Sequence, residues 1–152
     1  MTMNYKTPVS VLVLVYAPSL DVLLLERADR PGYWQSVTGS QDPGETLSET
    51  AVRELREETG IHAKPEALQD WALTNEYEIF PHWRHRYAPG VTHNTEHVFA
   101  YRTDGRCDIR LSVREHLQYR WVPWEEAAAC VFSWSNAAAI RELPRRTVGT
   151  SV

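Results

Sequence analysis

A chain of 152 residues with 43% hydrophobic and 24% charged side chains has the composition of one domain with a sizeable core. A formal net charge of −4 and a pI near 5.9 exclude broad electrostatic attraction to nucleic acid or an anionic membrane. A polyphosphate partner would have to be held locally, by a few basic groups or by metal.

We read residues 1–152 as a single domain without repeats or linkers. The opening "MTMNYKTPVSVLVLVY" has only Lys6 before its apolar run, lacks a convincing cleavage site and is too short to span a bilayer. A soluble cytoplasmic protein is expected. Val9–Tyr16 and Val22–Leu25 are predicted as neighbouring buried strands, joined through the turn chemistry of "APSLD". Pro31, Gly32 and Gly39 punctuate the next stretch, predicted as loop with one short strand from Trp34 to Thr38.

Between Thr46 and Thr59, Leu47, Ala51 and Leu55 recur every four residues beside Val52, which predicts a helix with one buried stripe, stopped by Gly60. "WALTNEYEIF", "TEHVFAYR" and "LQYRWV" alternate as strands. "WEEAAAC" after Pro123 and "NAAAIREL" are predicted helices, the latter capped by Ser133 or Ser135. The tail from Pro144 is expected to fray. Strands interspersed with two or three helices predict an α/β fold, a mixed sheet with helices on both faces. Cys107 and Cys130 match no metal or redox spacing and are expected as unpaired thiols.

The predicted helix after Thr46 carries Glu54, Glu57 and Glu58 at i, i+3 and i+4, on one face roughly opposite the apolar stripe. Like charges so spaced cost about 0.2–0.5 kcal/mol per pair. Such a cluster either raises its own pKa values or recruits a cation, and oxygen-liganded Mg²⁺ or Mn²⁺ suits it, especially with substrate phosphates in the shell. The same charges also fit a solvated ion-pair lattice through Glu49, Arg53 and Glu57.

Gly39, Glu45, Arg53-Glu54-Leu55, Glu57-Glu58 and Gly60-Ile61 reproduce, with their spacing, every fixed position of the Nudix box. The chain is therefore identified as a member of the Nudix family. That resemblance implies a loop–helix–loop on an α/β/α sandwich with a mixed sheet, and metal-dependent hydrolysis of a nucleoside diphosphate linked to another group. It also implies that Gly39 offers its carbonyl to metal and that Glu45 and Arg53 tie loop to helix. Glu54, Glu57 and Glu58 become metal ligands that acidify an attacking water.

Outside the box, "YKTPVSVLVLVY", "WQSVTGS", "EIFPHWRHRYAPGVTHNTEH", "REHLQYRWV" and "SWSN" resemble a narrower Nudix group, the dihydroneopterin triphosphate pyrophosphatases of bacterial folate biosynthesis. This implies release of pyrophosphate from 7,8-dihydroneopterin triphosphate, leaving the monophosphate. By that match Glu54, Glu58 and the distant Glu115 hold Mg²⁺, for which Mn²⁺ can substitute. Glu57 ranks below them as a ligand, and either Glu58 or Glu115 is the general base.

Lys6, Arg27, Thr38, Tyr77, Glu78, Ile79, Phe80 and Ser133 fall where that group contacts substrate. Lys6 and Arg27 read as phosphate donors or as solvated strand-end cations. Tyr77 and Phe80 line a flat pterin ring or simply pack in the core, while Glu78 or nearby backbone reads the ring edge. Ser133 touches substrate or caps a helix. The basic run from Arg84 to Arg86 meets phosphate or forms an ion-paired loop.

Two other readings stand beside this one. A Nudix hydrolase of dNTPs, dinucleoside polyphosphates or RNA 5′ ends has against it that "WQSVTGS" is not the Gly-rich form. A nucleotide-sensing domain without turnover has against it that no box glutamate is lost. The small-molecule substrate is compatible with a monomer or a homodimer.

Overall fold

The computed structural model describes residues 4–147. Strand β1 (Val9–Tyr16) is apolar at nearly every position because both of its faces are covered. Val11, Val13 and Val15 pack into one layer, and Leu12, Leu14 and Tyr16 into the other. β2 (Asp21–Arg27) extends the predicted strand by polar residues at both ends and splits its apolar residues in the same way.

The expected strand from Trp34 to Thr38 is two strands, β3 (Trp34–Gln35) and β4 (Val37–Ser40). β3 pairs with β2 and β4 with β1, so the chain changes sheet neighbour at Ser36. Ser36 is fully buried and needs a side-chain partner for its backbone. Its N–H donates to Asn136 Oδ1 at 2.9 Å, and Asn136 Nδ2 donates to Ser36 Oγ at 3.0 Å.

Helix α1 (Leu47–Thr59) is bounded as predicted. Thr46 and Glu49 close a capping box, and Gly60, at φ 78°, ends the helix in the left-handed region while its N–H donates to the Arg56 carbonyl. Then follow β5 (Gln69–Glu78), β6 (His93–Arg102), β7 (His116–Pro123), α2 (Trp124–Cys130) and α3 (Trp134–Thr147). A short 3₁₀ turn, Pro81–Arg86, precedes β6.

The seven strands run β3-β2-β1-β6-β5, with β4 also on β1 and β7 on β2. β1 and β6 are parallel from Val9↔Thr95 to Tyr16↔Arg102, and the other pairs are antiparallel. Ala51 and Leu55 of α1 pack on one face of this mixed sheet, while Ala127, Ala139, Ile140 and Leu143 of α2 and α3 pack on the other. The result is the expected α/β/α sandwich.

The tail departs from expectation, since α3 continues through Pro144 to Thr147. Apolar content alone missed two anchors. Leu143 is fully buried, and Arg146 donates to the Trp71 carbonyl at 2.8 Å with its guanidinium 4.9 Å from the Trp71 ring centre. Residues 148–152 of that expectation lie outside the described ones. Cys107 and Cys130 are free thiols. Among the described residues no helix is long and apolar enough to cross a membrane.

Candidate active site

The buried side of α1 holds Thr50, Ala51, Glu54, Leu55, Glu58 and Thr59. Glu54 and Glu58 therefore lie beside the apolar stripe, not opposite it as expected, because at 3.6 residues per turn Glu54 falls about 20° from Leu47 and Glu58 about 20° from Ala51. Glu57 alone of the three turns outward, 3.4 Å from Arg53. The room for Glu54 comes from β4. A Cβ added to Gly39 would sit 2.1 Å from Glu54 Cδ, so the missing side chain is what admits the Glu54 carboxylate.

Arg53 is the hub of the acidic segment. Its Nε donates to Glu45 Oε2 at 2.7 Å, NH1 to Glu54 Oε1 at 2.8 Å and NH2 to the Ser40 carbonyl at 3.0 Å. Glu45 is held down to about 2, chiefly by that Arg53 hydrogen bond. Loop and helix are tied as expected, while Glu49 serves the cap and makes no lattice with Arg53.

Glu58 is 2% exposed, and its Oε1 has no hydrogen-bond partner. The nearest cationic candidate, His116 Nε2, stands 3.7 Å away, but burial and then the field of Arg27 lower His116 to about 4 and keep it neutral. Burial, then Glu54 and the charge of Glu115, push the Glu58 carboxyl well above its usual range. Glu115 itself is exposed, in the turn that leads into β7.

Among the described residues, no three His, Cys, Asp or Glu side chains are already gathered closely enough to hold a metal. The chemistry of the donors nonetheless fits a hard divalent cation. A buried carboxylate oxygen is left open beside a second carboxylate, in a cradle that a Cβ at position 39 would fill.

A cleft of about 360 Å³ opens from this point, lined by Glu58, Gly39 and Glu115 and by Lys6, Arg27, Thr38, Tyr77, Glu78, Ile79, Phe80 and Ser133. Every substrate position expected by resemblance thus borders one cavity. Glu54 and Glu57 do not line it.

These residues differ in what they have left to offer. Lys6 is lowered by burial and then by Arg86 and Arg27, which places three cations together beside the carboxylates. Arg27 is occupied: Nε and NH2 donate to Asp29 at 2.7 and 2.8 Å, NH1 donates to Gln35 at 3.0 Å, and the guanidinium lies 4.2 Å from the Trp83 ring centre. Thr38 Oγ1 donates to the Val11 carbonyl at 2.9 Å, and its backbone reaches Glu58.

Tyr77 receives a hydrogen bond from Asn94 at 3.0 Å, and burial raises its phenol so that it stays neutral. Ile79 is buried, whereas Phe80, 39% exposed, stacks with Trp83 at 5.6 Å and meets Phe132 edge-on at 5.8 Å. Glu78 is paired with Arg84. Ser133 Oγ accepts from the Asn136 N–H at 3.4 Å and so caps α3 as well as facing the cleft.

The basic run divides by position. Arg84 braces the loop, donating to the Ile79 carbonyl at 3.0 Å, while Arg86 borders the cleft, 3.3 Å from Asp29. Sequence reasoning missed Asn94, Glu96, Trp83, Phe132 and Asn136 as cleft residues. A signal existed for two of them: Asn94 and Glu96 alternate with their neighbours on the same face of β6 as the core residues Val98 and Ala100. Glu96 is 4% exposed, and burial pushes its carboxyl up to about 7 against the pull of the Ser135 hydroxyl.

The chain is 48% identical over 141 residues to the dihydroneopterin triphosphate diphosphatase of Escherichia coli K12, covering 91% of this chain and 93% of that protein. The protein of the same name from Haemophilus influenzae is 43% identical over 143 residues, with coverages of 92% and 89%. The solved structure of the E. coli dihydroneopterin triphosphate pyrophosphohydrolase matches with a TM-score of 0.87 and 48% identity, over 92% of this chain and 97% of that one. The NUDIX domain model matches residues 6–143, a span that takes in the acidic helix, the whole sheet and every residue lining the cleft, and the chain belongs to that family.

Proposed function

We propose that this protein is a cytoplasmic, Mg²⁺-dependent pyrophosphohydrolase that converts 7,8-dihydroneopterin triphosphate to its monophosphate and pyrophosphate in folate biosynthesis. One observation carries the reading. A single cleft joins a buried carboxylate with one open oxygen to an aromatic-walled pocket, in a chain 48% identical to an enzyme with that name.

Glu54, Glu58, Glu115 and the Gly39 carbonyl would hold the cation, Mg²⁺ or Mn²⁺ in its place. Glu57, with a side chain 46% exposed and turned to Arg53, is left outside this set. A bound divalent cation supplies charge neutralisation at the diphosphate and acidifies an attacking water. Lys6 and Arg86 neutralise the remaining phosphate charge, and Arg27, tied to Asp29, orients the wall they share. The water proton passes to Glu58 or Glu115, the two carboxylates of the set that border the cleft. Phe80, Trp83 and Phe132 offer aromatic surfaces to the flat ring.

The test is pyrophosphate release from dihydroneopterin triphosphate by the purified protein, with and without Mg²⁺, beside the four dNTPs. Metal-dependent release faster than from any dNTP is expected. Equal or faster hydrolysis of a dNTP would overturn the substrate assignment and leave a general Nudix pyrophosphohydrolase.

A further inference from the structure

On the sheet face opposite α1, β6 turns Asn94 and Glu96 inward at 1% and 4% exposure, and both border the cleft. Asn94 is fixed by its amide, which donates to Ser10 Oγ at 2.7 Å and Tyr77 OH at 3.0 Å. Its Oδ1 is left without a partner. The Glu96 carboxyl draws support from the Ser135 hydroxyl, but its Oε1 also has none.

Buried polar atoms in native proteins are almost always hydrogen-bonded. Here two open acceptors stand two residues apart on one strand face, at the wall of a cavity that also carries flat aromatic surfaces. The bonds of Asn94 to Ser10 and Tyr77 use only its amide nitrogen, and Val98 and Ala100 continue the same face as core, so neither open acceptor is accounted for by the sheet. Glu78, which the resemblance offers as a reader of the ring edge, is engaged by Arg84.

We propose that Glu96 Oε1 and Asn94 Oδ1 form a reading subsite that accepts hydrogen bonds from adjacent N–H groups on the edge of a flat heterocycle. The matching chemical class is the 2-amino-4-oxopyrimidine edge, a ring N–H beside an exocyclic amine, which pterin and guanine share. This rests on the reading that the cleft takes a heterocyclic triphosphate. A site built to pair an N–H discriminates against an analogue lacking it, because the site's buried acceptor is then left unpaired.

dGTP and dITP differ only in the exocyclic amine and so isolate the effect. The experiment measures kcat/KM for both by pyrophosphate release, and Kd for both by calorimetry with metal chelated, in the wild type and in Glu96→Met, which keeps the side-chain length and removes both acceptor oxygens. The wild type is expected to prefer dGTP by about tenfold or more, with the difference in KM and Kd. In Glu96→Met that ratio falls to near one. A wild type that does not separate dGTP from dITP overturns the proposal even if the variant folds poorly. An equal loss for both nucleotides in Glu96→Met overturns it as well, since that is the mark of a structural role. Slow cleavage of dihydroneopterin triphosphate would instead defeat the pterin assignment, with the dGTP to dITP ratio still deciding the subsite.

Discussion

The carboxylate end of the cleft is made mainly by one continuous run of chain, Gly39 to Ile61, with Glu115 added from the turn before β7, whereas the opposite wall is gathered from β5, β6 and α3. At the first end Arg53 ties Glu45, Glu54 and Ser40 together over at most thirteen residues. At the second, Asn94 meets Ser10 and Tyr77, and Glu96 meets Ser135, only because the sheet and the last helix bring them there. Reaction chemistry is thus carried as a compact module, and selectivity as a property of the assembled fold. Substitutions at the first end should change rate for every substrate, and those at the second should change which substrate is preferred.

The largest effect is expected from Glu58→Gln. Turnover should fall about a thousandfold on any substrate, the scale of losing a group that handles a proton or the cation. Melting should occur no lower than in the wild type, because burial already disfavours the charged form and the change leaves a neutral group of the same shape. Initial rates and a circular-dichroism melt on one preparation check both halves, and surviving activity would refute the assignment of this end.

Gly39→Ala comes next. Its Cβ would meet Glu54 Cδ at 2.1 Å, so the carboxylate must move. Displacement on that scale should cost about ten- to a hundredfold in kcat and about 1–3 kcal/mol of stability. Unchanged kcat would mean that Glu54 has no part in the chemistry.

Glu45→Gln should weaken the fold by about 1–2 kcal/mol at pH 7, with a smaller effect on kcat than at Gly39. The Glu45 carboxyl is depressed to about 2 in the fold against an ordinary value of 4.5. Its stabilisation is therefore complete above the ordinary value and is lost as pH falls through the folded one. Urea unfolding of wild type and variant should converge between pH 4.5 and 2. A gap that persists to the acid limit would show that Glu45 acts by packing, not by charge.

Phe80→Ala is the smallest. With Phe80 39% exposed, stability should change by under about 0.5 kcal/mol, while KM for the pterin triphosphate rises about three- to tenfold as one aromatic contact is lost. A matching rise in KM for inorganic tripolyphosphate would place Phe80 with the phosphates and blur the division between the two ends.

What could be read in the sequence follows the same division. β1 and α1 were legible to the residue, because double-sided burial gives an unbroken apolar run and because Thr46, Glu49 and Gly60 mark a helix locally. Helix period already sets Glu54 beside Leu47, but the room for its carboxylate was not legible, since it depends on the missing Cβ of Gly39 across the layer interface. Nor was the break at Ser36, whose backbone is satisfied by Asn136, or the helical end past Pro144, held by Trp71. The cleft positions from Lys6 to Ser133 were found by resemblance alone. Asn94 and Glu96 show where a stricter reading of strand alternation would have found more.

The hydrogen bonds between Ser36 and Asn136 span one hundred residues, against thirteen for Arg53 to Ser40. Closing the longer loop costs about 2 kcal/mol more in chain entropy. The acidic module can therefore assemble early from local contacts, while the cleft is complete only when α3 docks. A ligand that needs both ends recognises only the finished molecule. It should slow unfolding and leave the refolding rate unchanged, so that in the cell substrate supply would lengthen the life of the folded enzyme without helping it to form.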